Sequence, residues 1–127
     1  MKRKKQFKRL DDKKFVQFFQ LYSETHRIGT WYWDFETDSL FCNDVLYQIY
    51  EIDQKKFPGN FKSWINMIHP DDRKKTMEDI QSVIKNGIRN NLEFRVATPS
   101  GKLKFIRWSA FIEKNSKGQP AKMLGIN

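Results

Sequence analysis

LEFRVATPSGKLKFIRWSAFIE, residues 92–113, decides how the rest of the chain is read. Two runs of period-two alternation flank Thr98-Pro99-Ser100-Gly101, so the stretch reads as two long strands joined by a tight turn. Proline at the second turn position presets φ and glycine stands at the fourth, which suits a type I turn. On the second arm Ile106, Trp108, Ala110 and Ile112 fall on one side, with Phe105, Arg107, Ser109 and Phe111 on the other. The first side is continuously apolar and is assigned inward. Leu92, Phe94 and Val96 alternate with Glu93, Arg95 and Ala97 in the same way on the first arm. The hairpin is expected at the centre of a sheet. Its outer side is anomalous, because Phe105 and Phe111 are too large and apolar for a face that meets only water, and something should cover them.

A chain of 127 residues is one domain by size and long enough to bury a core. No apolar run approaches the ~20 residues of a bilayer span, and the basic N-terminus lacks the apolar segment of a signal peptide. The expectation is a soluble, cytoplasmic protein. Its one cysteine, Cys42, has no internal disulfide partner, which fits a reducing compartment. The net charge of +9 is unevenly placed: residues 1–14 hold eight Lys/Arg against Asp11 and Asp12, a net of +6. Such an end matches nucleic acid or an anionic membrane. No aromatic residues interleave in the stacking pattern of nucleic-acid grooves, so the plain reading is a solvated helix end and nucleic-acid binding is not expected.

From about Gln6 to Arg27 the pattern is helical, with Phe15, Phe18, Phe19 and Tyr22 in a stripe that Phe7 and Leu10 extend less cleanly. Gly29 stands where a left-handed cap would end it. Thr30 to Phe35 reads as a strand with Trp31, Trp33 and Phe35 on one face, and Leu40 to Cys42 as a short second strand after a polar turn. Asn43 then looks like the N-cap of a helix through Val45, Leu46, Ile49 and Tyr50. Asn60 opens another short helix carrying Phe61, Trp64, Ile65 and Ile68. After His69-Pro70, Asp71 and Asp72 begin a longer helix, with Met77, Ile80, Val83 and Ile84 as its buried stripe and Asn86-Gly87 as its stop. A last strand runs from Ala121 to Asn127.

Gly29-Thr30-Trp31-Tyr32-Trp33-Asp34, then Phe57-Pro58, then His69-Pro70-Asp71-Asp72-Arg73, and finally Pro99-Ser100-Gly101 before a long strand, together resemble a PAS sensor domain. The resemblance covers Ile28 to Asn127, and residues 1–27 resemble the basic flanking helix that such domains often carry. It implies an α+β fold, a five-stranded antiparallel sheet with helices on one face. It also implies a possible small ligand between sheet and helices, and a covalently attached output domain such as a histidine kinase or diguanylate cyclase. The family's exit sequence is absent after Gly125-Ile126-Asn127, so an excised sensor fragment is expected. Flavin-binding relatives place a reactive cysteine in a mid-domain helix, whereas Cys42 ends a strand. Haem-binding relatives use a histidine on the long helix, which has none here. Both cofactors are therefore not expected, and the ligand is an unknown small molecule or none.

No nucleophile motif, phosphate-binding glycine loop or zinc spacing is present, so no catalytic residue is assigned. His69 with Asp71 and Asp72 is explained as a helix start rather than a metal site, because two carboxylates and one imidazole do not close a coordination shell. The candidate pocket comprises Trp31, Trp33, Leu46, Tyr50, Trp64, Ile68, Ile80, Phe94, Val96, Ile106, Trp108 and Met123, with Asn127 as a polar handle. These residues either line a small apolar cavity or fill it. The candidate dimer surface is Phe15, Phe18, Phe19 and Tyr22 meeting Phe105, Phe111, Leu124 and Ile126, with self-docking of the helix as the alternative. Two functions follow: a ligand-responsive sensor, or an interaction module with a filled core that dimerises to set its output domain.

Overall fold

Alternation along the long hairpin does put one side of it in the core of the computed structural model, which describes residues 11–127. Ile106, Trp108 and Ala110 are buried from one arm and Leu92, Phe94 and Val96 from the other. The elements run α1 (Asp12–His26), β1 (Thr30–Asp34), β2 (Ser39–Cys42), α2 (Asp44–Tyr50), α3 (Phe61–Ile65), α4 (Pro70–Asn86), β3 (Ile88–Ala97), β4 (Leu103–Lys114) and β5 (Pro120–Ile126). All neighbours in the five-stranded sheet, order β2-β1-β5-β4-β3, are antiparallel. The β3–β4 hairpin is therefore a flank and β5 is the centre. β4 turns straight back into β5, whose other edge is left for β1, so the hairpin's first arm is pushed to the sheet's rim.

The hairpin closes as its turn residues require. Gly101 donates to Thr98 O at 2.9 Å and sits at φ 85°, a left-handed value that glycine adopts without strain. The exposed rim of β3 is blunted twice. Towards its start a bulge interrupts pairing between Arg89 and Leu92, with Asn91 at φ 59°. Towards its end the chain before α4 lies along it: His69 N donates to Arg95 O, Ala97 N to Met67 O, and Ile68 bridges Val96.

The helix starts are chemical as well as periodic. Asn43 and Asn60 accept from Leu46 N and Ser63 N, and His69 Nδ1 accepts from Asp71 N with Pro70 opening α4. Three further readings need correction. Arg27, at φ 52°, is the left-handed cap of α1 rather than Gly29, which instead lets α2 approach: a Cβ there would lie 3.2 Å from Leu46 Cα. Met77 is exposed, and Thr76 takes its place with Ile80 and Val83, because 76 stands four residues before Ile80 and seven before Val83, on the stripe the two share. Ile68 lies beyond α3, in the bridge to β3. The part of the expected first helix at Gln6 to Leu10, with Phe7, falls outside the described residues.

One ion pair fastens α4 to β3. The Asp72 carboxylate receives Arg95 Nε at 2.9 Å, Arg95 Nη2 at 2.8 Å and the Arg95 backbone N–H at 2.8 Å. These side-chain hydrogen bonds hold the Asp72 carboxyl at about 2, below its usual 3.8. A depressed carboxyl stabilises the fold above its unfolded pKa and loses that contribution as pH falls through the folded one. Asp72→Asn is expected to cost about 1 kcal/mol near neutral pH, since solvent screens part of the pair, and to flatten the stability profile between about pH 4 and pH 2. Urea denaturation of both proteins across that range measures both effects.

Candidate functional site

β1, α2, α3 and the end of β5 converge on a small cavity between the sheet and the helices. Alternation along β1 turns Trp31 and Trp33 inward, and the cap at Asn43 sets α2 so that Leu46 and Tyr50 face them. Asn43 does more than cap: its Oδ1 also accepts from Thr30 N and its Nδ2 donates to Ile28 O, which fixes α2 to the start of β1. Asp38, in the β1–β2 turn, receives Trp33 Nε1 at 2.9 Å and Phe61 N at 3.2 Å, so the turn is tied to the head of α3.

Of the expected pocket residues, Trp31, Trp33, Leu46, Tyr50, Trp64, Ile80, Trp108 and Met123 line the cavity. Ile68, Phe94, Val96 and Ile106 are buried in the adjoining core without lining it. The sequence reading missed Leu40, Cys42 and Tyr47, and likewise Ile52, Phe57, Phe61 and Met67. Leu40 and Cys42 sit on a four-residue strand, Ile52, Phe57 and Met67 on irregular chain, and Tyr47 and Phe61 on the short helices α2 and α3, so none lies in a periodic run long enough to assign a face; the Phe57-Pro58 loop was the one usable signal.

The cavity measures about 30 Å³. Pockets that enclose drug-sized ligands run to roughly 300–1,000 Å³, and one water takes about 30 Å³ of liquid. Aromatic rings take up the space. Trp33 stacks on Phe61 at 4.8 Å between centroids, Phe61 meets Trp64, Trp64 meets Phe94 edge-on, and Phe94 and Trp31 both flank Trp108.

Polar groups gather at one end. Asn127 Oδ1 accepts from Trp31 Nε1 at 2.9 Å, its Nδ2 donates to Tyr50 Oη at 2.7 Å, and Trp64 Nε1 donates to the same oxygen at 3.4 Å. Asn127, expected as a polar handle, bonds Trp31 and Tyr50 of the cavity's walls and does not itself line the cavity. Burial pushes the Tyr50 phenol far above its usual range, so it stays protonated at any working pH. Burial also pushes the Cys42 thiol up to about 11, which removes thiolate character at neutral pH.

A second apolar space lies on the opposite side of the sheet. Phe15 and Phe19 of α1 overhang a groove of about 910 Å³ whose floor includes Tyr32, Phe41, Phe111, Leu124 and Ile126. Tyr32 and Phe41 stack at 4.5 Å, with Lys122 Nζ over the Tyr32 ring at 5.6 Å. Phe18, Tyr22 and Phe105 do not line this groove, and all three are exposed, Phe105 by 79%.

A family model described as "PAS fold" matches residues 39–127. The sensor protein FixL of Bradyrhizobium diazoefficiens is 27% identical over 110 residues, which is 87% of this chain and 22% of that protein, so the chain spans about a fifth of its relative's length. A sensory box histidine kinase/response regulator from Burkholderia thailandensis aligns with TM-score 0.70 and 26% identity, over 85% of this chain and 80% of that one. The N-terminal domain of a diguanylate cyclase with PAS/PAC sensor from Marinobacter aquaeolei shares the fold, with TM-score 0.69 and 14% identity over 78% of this chain and 91% of that one.

Tyr50→Phe removes the oxygen that both Asn127 and Trp64 bond. Two half-buried donors are left without that acceptor, and the expected loss is about 1–3 kcal/mol, larger than for the exposed Tyr22→Phe. Thermal and urea denaturation of the two variants gives the comparison.

Proposed function

The chain belongs to the PAS fold family, and from that premise we propose that it is the signal-input module of a larger signalling protein, acting as a homodimer through its outer sheet face and flanking helix rather than by catalysis of its own. The observation that carries this reading is the contrast between the two apolar spaces. The interior one has the volume of very few waters, whereas the outer one is some thirtyfold larger and stands open. Six large apolar side chains of α1, Phe15, Val16, Phe18, Phe19, Leu21 and Tyr22, are exposed, as are Phe111 and Ile126 on the sheet. Apolar surface on that scale is what a partner covers, and a second copy presents a matching helix and face.

The relatives support an output enzyme of the histidine kinase or diguanylate cyclase kind joined covalently to this chain, in a two-component type of pathway on the cytoplasmic side. Among the described residues no helix is long and apolar enough to cross a membrane. Residues 1–27 serve as the flanking segment and 28–127 as the sensor domain proper in this reading. One observation favours a second reading in which the cavity also receives a ligand: the Asn127, Tyr50, Trp31 and Trp64 cluster sets polar handles beside apolar walls. The guest would be small and uncharged. The residues do not fit flavin or haem, since a cavity of about 30 Å³ admits neither ring system, the Cys42 thiol is held protonated in β2, and α4 carries no histidine.

Sedimentation velocity is expected to give a dimer for residues 1–127 and a monomer for Phe15→Asp/Phe19→Asp, whose changed positions are already exposed and leave the core intact. A dimer that survives both that change and deletion of residues 1–27 would remove the helix from the interface. Native mass spectrometry of the same samples reports any retained small molecule.

A further inference from the structure

Four tryptophans wall the inner cavity, and three of their indole N–H groups have acceptors. Trp31 donates to Asn127 Oδ1, Trp33 to Asp38 Oδ1 and Trp64 to Tyr50 Oη. Trp108 is the most deeply set of the four, 2% exposed, and its N–H meets no acceptor among the described residues. Tyr50, equally buried, is a second case. Its oxygen receives both Asn127 Nδ2 and Trp64 Nε1, while its own O–H has no acceptor among the described residues. Buried donors are costly to leave unpaired and are nearly always matched. The walls offer nothing in exchange: none of their side chains carries a carboxylate or an amide, and the Asn127 oxygen is taken by Trp31.

We propose, on the reading in which the cavity receives a ligand, that Trp108 N–H and Tyr50 O–H select its class: a small neutral molecule that accepts hydrogen bonds and donates none, such as a simple aldehyde or nitrile. A guest with a donor of its own, an alcohol or an amine, would bury that donor among rings and aliphatic chains. An anion would satisfy both donors but lose its hydration, with no cation in the walls to offset the loss. Size sets the other limit. A void of about 30 Å³ takes about two or three non-hydrogen atoms once the flexible thioethers of Met67 and Met123 in its wall adjust. The guest thereby engages the phenol that ties α2 to α3 and to Asn127.

Acetonitrile and propyne test this, since the two share a rod shape and only the nitrile nitrogen is a strong acceptor. Each is titrated into the isotope-labelled full chain while the four indole N–H resonances are followed by NMR. The expected result is saturable binding of acetonitrile, about tenfold or more tighter than propyne, with the Trp108 N–H moving most. Tyr50→Phe keeps the ring and loses the donor, and should cut that preference to about threefold or less. Where this variant is too unstable to titrate, the Trp108 resonance of the parent carries the test alone. Equal affinities for the two probes overturn the proposal and leave a cavity that takes guests without reading an acceptor. If neither probe binds, the ligand reading falls and the proposal with it. A Tyr50→Phe chain with the parent's preference, or shifts that spare Trp108, overturns it as well. So does a long-lived water that cross-relaxes with the Trp108 N–H and stays at saturating acetonitrile, because solvent is then the donors' partner.

Discussion

Trp31 lies across the backbone of Gly125, and the arrangement of the whole sheet depends on that close approach. A Cβ at position 125 would stand 2.6 Å from Trp31 Cε2 and 2.9 Å from Ser109 O, so no other residue fits beneath the indole. With glycine there, the indole settles low enough to hand its N–H to Asn127. Asn127 in turn exchanges backbone hydrogen bonds with Gly29 in both directions, at 2.8 and 3.1 Å, closing the pairing of β1 with β5. Gly29 is itself pressed against Leu46. Two glycines therefore set the spacing at the corner where the chain enters from α1 and runs out along β5.

That corner explains why β5 rather than the long hairpin is central. A strand flanked on both edges satisfies its backbone groups on each side. β5 does so against β1 and β4, with Met123 as its buried side chain. β3, at the rim, needs other means of protection, and it has them in the bulge at Asn91, the chain at Met67 to His69 laid along its end, and the Asp72–Arg95 pair. The motif His69-Pro70-Asp71-Asp72-Arg73 is thus more than a helix start. Its second aspartate reaches across to a strand 23 residues later.

Much of the fold was legible because its signals are local. Strand alternation, the capping asparagines and the Pro-Ser-Gly turn each assign their own segment without reference to the rest. What escaped was set by distant partners. Nothing near Asp72 announces Arg95, nothing near Gly125 announces Trp31, and the place of β5 in the sheet follows from which edge remains free. Helix caps divide the same way: Asn43 was readable, while the left-handed cap at Arg27 rather than Gly29 was decided by the need for glycine against Leu46. The candidate site was legible along β1, α2 and β4, where periodicity runs long enough. It was missed at Leu40, Ile52, Phe57 and Met67, where the chain reaches the cavity through short or irregular segments.

The distribution of aromatic residues carries the last step. An unbroken series of rings from Trp33 to Trp31 fills the space between sheet and helices, and close-packed interiors shift between discrete arrangements rather than deform smoothly. A rearrangement at Trp64 or Tyr50 must then be taken up where the packing ends. The hydrogen bonds place that end at Asn127, which both side chains reach directly or through the Tyr50 oxygen. Asn127 is paired with Gly29, two residues beyond the cap of α1, and the next residues back along β5, Ile126 and Leu124, form part of the groove floor. The inner and outer faces of the sheet are therefore connected at one corner, and Phe111, one of the two phenylalanines that looked out of place on the wet side, pairs with Leu124 near it.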